Sequence, residues 1–427
     1  MRKGLWASMV LLGVALIGGM PVVHAGEVDL LVQKLVEKGV LSSNEGQILL
    51  DETKQDVAKQ NAKGTNDALP AWVQTTKIKG DVRLRYQTQQ REAGTTRNRG
   101  RIRYRLGFET KPNDQVLVGA GLSGAEKSST VDDARSTNTT MMNTFDRGPI
   151  RLDYAYAEYK PNSELRLIGG KYNGLSKDYL WYTTDMMWDS DINQEGASAH
   201  VDLKDVLAGD VFFNSGYWVL GESSTAASDL GMYYGQAGMV FSPDPVQIKL
   251  AGTFYSFIND DTGTLLSGRA SGNTITGAGT VLSPYKYAYD FGKILAGSAE
   301  AIYSFPAETS SPIKMAGVFG DYVLNTDPSK DKAGYAAGVK FGYPKVAVKG
   351  DWQFKYQYVQ LAKDAWYDSL PDSDRYSGNT NIKGNELLLD IGLAKNVSLG
   401  LDYYRSDVLR GTKLPESVFQ ADINMKF

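Results

Sequence analysis

From Ile78 onward the chain alternates. Ile78, Val82, Leu84 and Tyr86 hold one set of positions and Lys79, Asp81, Arg83 and Arg85 the other; Ile102, Tyr104, Leu106 and Phe108 alternate likewise with Arg101, Arg103 and Arg105. Period two is the signature of a strand with one apolar and one polar face. Val346, Val348, Trp352, Phe354, Tyr356 and Tyr358 repeat the pattern against Lys349, Asp351, Gln353 and Lys355. The chain ends on it too, with Phe419, Ala421, Ile423, Met425 and Phe427 against Gln420, Asp422, Asn424 and Lys426. Such strands are too polar on one side for a sandwich core. A closed antiparallel barrel with its apolar face outward in lipid and an aqueous interior satisfies both sets.

Sixteen segments are predicted, at 78–90, 98–109, 115–124, 151–160, 164–172, 194–203, 210–221, 231–241, 246–258, 292–305, 312–325, 333–342, 345–358, 383–393, 397–406 and 417–427. An even number puts both ends of the barrel on one side. Short turns follow even-numbered strands: Lys111-Pro112-Asn113, Lys160-Pro161-Asn162, Ser242-Pro243-Asp244-Pro245, Tyr343-Pro344-Lys345 and Ala394-Lys395-Asn396. Odd-numbered strands run into polar loops, longest at 125–149, 173–193, 259–290 and 359–382. All 14 prolines fit outside strand interiors, as a hydrogen-bonded ladder requires. The last strand, with Phe419 and Phe427, is expected to close the sheet on the first and leave no edge.

Before Ile78 the pattern is different. Arg2 and Lys3, an apolar run from Leu5 to Met20 and small flanking residues at Val23-His24-Ala25 read as a signal peptide, 1–25, cleaved after Ala25. Residues 26–64 read as a periplasmic helical pair: Val28, Leu31, Val32 and Leu35 precede Gly39, and Ser42 with Glu45 opens a second helix. A linker, 65–77, leads to the barrel at 78–427. So small a pair buries little surface alone, which implies association with copies of itself or with a periplasmic or cell-wall partner, or a loose tether.

Composition narrows the chemistry. The 427 residues include no Cys, 2 His, 45 Gly, 25 Tyr, 14 Phe and 7 Trp, a turn-rich and aromatic-rich profile without thiolate ligands or thiol catalysis. Removal of Arg2 and Lys3 leaves 44 basic and 49 acidic residues, a charge near −5 that gives no support for nucleic-acid binding. The mature chain keeps one histidine, His200, between Ser198 and Asp202 on a strand, where same-face polar residues read as wall and not as a catalytic set. No enzyme, cofactor or metal site is expected. The acids Asp260 and Asp261, and Asp364, Asp368, Asp372 and Asp374, match no calcium-loop spacing and read as solvated loop tips.

A wide barrel selects solutes only if something folds inward. The third outer loop is the candidate: it follows Gly169-Gly170 and carries Tyr179, Leu180, Trp181, Tyr182, Met186, Met187 and Trp188, which would bury against the inner wall. That would leave Asp178, Asp185, Asp189 and Asp191 to line the lumen. The alternative is packing on a neighbouring subunit or loop. Opposite stand Arg83, Arg85, Arg101, Arg103 and Arg105, all on the inward set, with Asp81 and Glu109 the only nearby inward acids. A basic wall facing an acidic loop makes a transverse field that favours anions near the wall; the alternative is a lattice of solvated arginines without selectivity.

On its terminal aromatic strand, turn pattern and basic first strands, the sequence resembles Gram-negative outer-membrane porins, and most of all the porin family whose members carry an N-terminal helical segment. The resemblance implies the bacterial outer membrane, a terminal aromatic read by the assembly machinery, a water-filled channel for ions and small hydrophilic solutes, contact with membrane lipid and lipopolysaccharide, and a homotrimer. The third loop lacks the Pro-Glu-Phe-Gly-Gly stretch of enterobacterial porins. An envelope tether that grips the cell wall through the helices is the alternative function.

Overall fold

The computed structural model describes residues 70–92, 94–126, 133–141, 145, 147–206, 208–222, 229–259, 272–277, 286–306 and 311–427, with isolated positions 36, 38 and 50. The expected signal peptide, almost all of the helical pair and the loop acids Asp260 and Asp261 lie outside the described residues. Inside the expected linker, Ala71–Gln74 forms one helical turn. The chain divides into Met1–Gln74 and Thr75–Phe427, and the second unit is a barrel.

Sixteen antiparallel strands form it: β1 Lys77–Arg91, β2 Arg97–Asn113, β3 Val116–Gly124, β4 Ile150–Tyr159, β5 Leu165–Tyr172, β6 Gln194–Val206, β7 Gly209–Gly221, β8 Leu230–Phe241, β9 Val246–Ile258, β10 Ile294–Ser304, β11 Met315–Asn325, β12 Ala333–Gly342, β13 Trp352–Leu361, β14 Ile382–Ala394, β15 Val397–Val408 and β16 Glu416–Lys426. Each pairs with its neighbours in sequence, and β16 pairs with β1 from Asp81 opposite Lys426 to Arg91 opposite Glu416. The terminal residue completes the seam: Phe427 N–H donates to Gly80 O at 3.0 Å and Gly80 N–H to Phe427 O at 2.9 Å. Closure leaves no edge for pairing with another chain. The outward set is apolar and exposed, including Leu84, Ile102, Leu106, Phe108, Leu250, Phe254, Val318 and Phe419. Lipid is the natural solvent of such a face.

The short turns reuse one device. In the first, Asn113 Oδ1 accepts from the Gln115 and Val116 amides (3.0 and 2.9 Å); in the next, Asn162 Oδ1 accepts from Glu164 and Leu165 (3.1 and 2.8 Å). Three sequence expectations need correction. Pro112 falls within β2, tolerated because the ladder shifts register between Thr110 and Asn113 and asks no amide of it. Val346 and Val348 lie in the turn before β13, where Asp351 Oδ2 captures the Ala347 and Val348 amides, each at 2.9 Å, and folds the segment back. The interior, finally, is not aqueous throughout. Inward Trp218, Met232, Tyr234, Tyr255, Phe257, Val323 and Val359 join one buried apolar cluster with residues of the loops 173–193 and 362–381. That core fills one side of the lumen.

Candidate functional site

Pairing of β1 with β2 sets Arg83 opposite Arg103, Arg85 opposite Arg101 and Asp81 opposite Arg105. Like charges so placed repel. Carboxylates resolve the conflict. Arg85 makes a two-pronged contact with Asp422 of β16, 2.8 Å on each prong, and reaches Asp374 at 2.8 Å. Arg103 and Arg105 share Asp81 at 2.9 and 2.7 Å. Arg101 meets Gln87 at 3.3 Å and Glu126 at 3.5 Å, while Arg83 donates to Asn138 Oδ1 at 2.7 Å and stands 3.7 Å from Asp422. The expectation that Asp81 and Glu109 are the only inward acids nearby is therefore wrong. Asp422 arrives across the closure seam and the rest from loops. Glu109 sits apart, bonded by Lys79, Lys177 and the Tyr156 hydroxyl.

The loop 173–193 leaves β5 just beyond Gly170, whose φ of +119° and contact with Ala155 O exclude a Cβ; Gly196, its register partner on β6, has φ +151°. Gln194 Oε1 accepts the Gly174 amide at 2.8 Å and closes the loop's base. Tyr179, Leu180, Met186, Met187 and Trp188 are buried, and Trp188 meets Trp218 and Trp366 edge-on at 5.5 Å each. Two inward strand residues anchor the loop. Gln236 exchanges hydrogen bonds with the Trp181 backbone at 2.9 and 2.8 Å, and Asp321 accepts from the Thr183 and Thr184 amides (3.1 and 2.6 Å) and the Thr184 hydroxyl (2.6 Å).

The four loop aspartates divide. Asp191 reaches Arg105 at 3.5 Å and Arg103 at 3.7 Å. Asp185 accepts from Gln357 and Arg375, both at 3.0 Å, and Asp189 is buried, capping the Asp191 and Ser373 amides at 2.9 and 2.8 Å. Asp178 does not join them: it pairs with Arg166 at 3.5 Å and, with Trp181, borders a separate pocket.

Asp364, Asp368, Asp372 and Asp374, expected at solvated loop tips, lie instead in an inward loop, 362–381. Asp364, Asp368 and Asp372 are buried. Asp364 bonds the Thr274 amide and hydroxyl at 2.6 and 2.7 Å, and Asp368 the Asn273 amide and Tyr287 hydroxyl at 3.1 and 2.8 Å. Arg375 binds Glu386 and Asp185 and stands 3.9 Å from Asp372, so the three carboxylates, within 4.8 Å of one another, already surround a cation. Burial and the nearby Asp185 and Asp189 push the Asp372 carboxyl well up; burial and Asp191 do the same to Asp189. Burial also raises Asp374, but Arg85 and Arg101 outweigh it and hold that carboxyl at about 2. A third segment folds in: Asn138–Thr140 pairs with β2, and buried Arg135 donates to Pro371 O and Gly378 O. The rings of Trp366, Tyr367 and Tyr376 were the sequence signal for this inward loop, the same signal that marked the third one.

Between the loops and the walls of β1, β2 and β13–β16 lies a cavity of about 390 Å³, bordered by Arg83, Arg85 and Arg103 on one side and Asp185, Asp189 and Asp191 on the other. Five cationic and nine carboxylate side chains line it in all. A second cavity, about 640 Å³, lies beside Lys79, Asp81, Arg105 and Glu109 and shares Leu175, Ser190 and Asp191 with the first. Asp191 therefore stands where the two meet. Arg105 borders the second cavity, and Arg101 lines neither, held instead by Gln87 and Glu126. No catalytic contact forms at the polar alternation on β6: the Tyr172 and Tyr234 hydroxyls bond Ser198, and His200 Nδ1 is 2.7 Å from Asn214 Oδ1.

The sequence matches the family described as "Putative porin" over residues 89–276 and 286–427. The chain belongs to this porin family. It is a channel protein of the bacterial outer membrane and not an enzyme. No curated protein matches the sequence. Among solved structures, the porin resembles OprB of Pseudomonas putida, with a TM-score of 0.53 and 10% identity over 83% of this chain and 95% of that one. It also resembles OmpF of Salmonella typhi, solved in complex with daunomycin: TM-score 0.50, 12% identity, 82% of this chain and 97% of that one. At such identities the likeness is one of fold.

Proposed function

We propose that this porin passes ions and small hydrophilic solutes by passive diffusion, through a constriction formed by the loop 173–193 and the arginine wall of β1 and β2. The observation that carries the reading is the reach of Asp191 to Arg103 and Arg105 at the junction of the two cavities. A solute crossing there passes between opposite charges, in a field transverse to its path. The arginines favour anions on their own side. Nine carboxylates oppose that bias, and the expected channel is weakly selective at neutral pH. A homotrimer, which the resemblance of the sequence to outer-membrane porins implies, is the expected assembly.

The test is single-channel conductance of the refolded protein in planar bilayers, with reversal potentials under a salt gradient. Changing Arg83, Arg101 and Arg103 together to Ser is expected to move the permeability ratio toward cations by roughly fivefold, about 1 kcal/mol per permeating ion. An unchanged ratio removes the wall from selectivity, and absence of any steps refutes the channel reading.

A further inference from the structure

Behind the loop 173–193, on the side away from the arginine wall, a pocket of about 180 Å³ opens between β5 and β9. Its rim includes Arg166, Trp181, His200, Phe212 and Lys249. Nothing in the proposed conduction path uses it. Five of its charged groups are internally balanced: Lys204 lies 2.8 Å from Asp202 and 2.9 Å from Asp210, and Arg166 3.5 Å from Asp178. Lys249 is different. Its ammonium lies 4.6 Å from the centre of the Trp181 ring and 4.9 Å from that of Phe212, and among the described residues it has neither an ion-pair partner nor a hydrogen-bond acceptor. Cation–π contact satisfies the charge in part and leaves its three N–H donors to water or to an anion that replaces it, while Asp178 and Asp202 act on it only at longer range. Beside it, a hydrogen-bonded chain holds the His200 wall rigid: Nδ1 meets Asn214 Oδ1, and Asn214 Nδ2 donates to Gln236 Oε1 at 3.0 Å. Gln236 in turn grips the Trp181 backbone on both sides and fixes where that residue leaves the loop.

We infer that this pocket is a binding site for a small organic carboxylate with a flat apolar body, the carboxylate on Lys249 and the body against Trp181 and Phe212. Charge-assisted hydrogen bonds to an ammonium are the strong kind, and preformed aromatic walls reduce the ordering cost of binding. The volume admits one ring and its carboxylate. The site rests on the barrel and its inward loop and not on conduction.

The experiment is isothermal titration of benzoate into the full-length protein folded in detergent, with benzyl alcohol and acetate as probes of each half of the ligand and detergent alone as the blank. Saturable benzoate binding that weakens at least tenfold in Lys249→Met is expected, with benzyl alcohol far weaker than benzoate. Trp181→Leu guards against misreading a folding defect: it should weaken benzoate and leave acetate unchanged. Equal binding by wild type and Lys249→Met, loss of binding in Arg83→Ser instead, or no saturation by benzoate overturns the site. Because binding is read without current, failure here leaves the channel reading untouched, and a silent channel that binds benzoate leaves the site standing.

Discussion

Asp321 shows how much one side chain positions. It lies on β11 among Val318, Phe319, Tyr322 and Val323, and it collects two amides and a hydroxyl of the third loop. Asp321→Ala strands those buried donors at a cost on the order of 2–4 kcal/mol, concentrated where the loop meets the wall. The expected outcome is larger and noisier single-channel steps with the barrel still folded; steps of wild-type size and quietness would show that the rings and Gln236 hold the loop without Asp321. Asp191 makes a complementary case: its carboxylate reaches Arg103 and Arg105 and accepts from the Thr137 hydroxyl at 3.4 Å, and its amide donates to Asp189. Asp191→Asn should raise anion permeability by a few fold, about 1 kcal/mol at the water-exposed junction, with conductance nearly unchanged. A fall in anion permeability in the reversal-potential assay would contradict its placement.

At the scale of elements, docking of the loop 362–381 has its own pH dependence. Asp189 and Asp372 are raised by burial and by neighbouring carboxylates, so the docked state holds more protons than the undocked one. Their contribution to docking grows as pH falls from neutral through the raised values. Asp374 acts in the opposite sense: burial notwithstanding, Arg85 and Arg101 hold it near 2, so its contribution is present above the ordinary carboxylate range and is lost as pH falls through about 2. Docking should be tightest in mild acid. Hydrogen exchange of residues 362–381 should be slower at pH 5 than at pH 8 after correction for intrinsic rates, while β1 and β16 are unaffected; faster exchange at pH 5 would reverse the assignment of the two raised groups.

The second unit, Thr75–Phe427, is a barrel filled from one side. Loops 173–193 and 362–381 bury their rings against β7–β14, and the open space is displaced toward β1, β2 and β13–β16. A lining of five cations and nine carboxylates then makes selectivity a function of pH, because acid neutralises carboxylates and leaves arginines charged. Between pH 8 and pH 4 the reversal potential should move steadily toward anions, and a shift toward cations would mean that the lining charges do not face the current.

The strand count and the alternation of short turns with long loops were legible in the chain, because period two and turn chemistry are local, and parity alone sets Arg83, Arg85, Arg101, Arg103 and Arg105 on one face of β1 and β2. Closure through Phe427 was legible for the same reason. The partners of those arginines were not. Asp422 and Asp374 lie more than 250 residues away from Arg85 in sequence, and no local pattern announces which acid a seam or an inward loop will deliver. Asp364, Asp368, Asp372 and Asp374 have the composition of a solvated tip, and only the burial of Trp366 and Tyr367 in the lumen carries them inward with the backbone. Period and turn chemistry are local properties of the chain and can be read from it; the balance of charge in the pore arises from contacts between distant segments, which exist only once the barrel has closed.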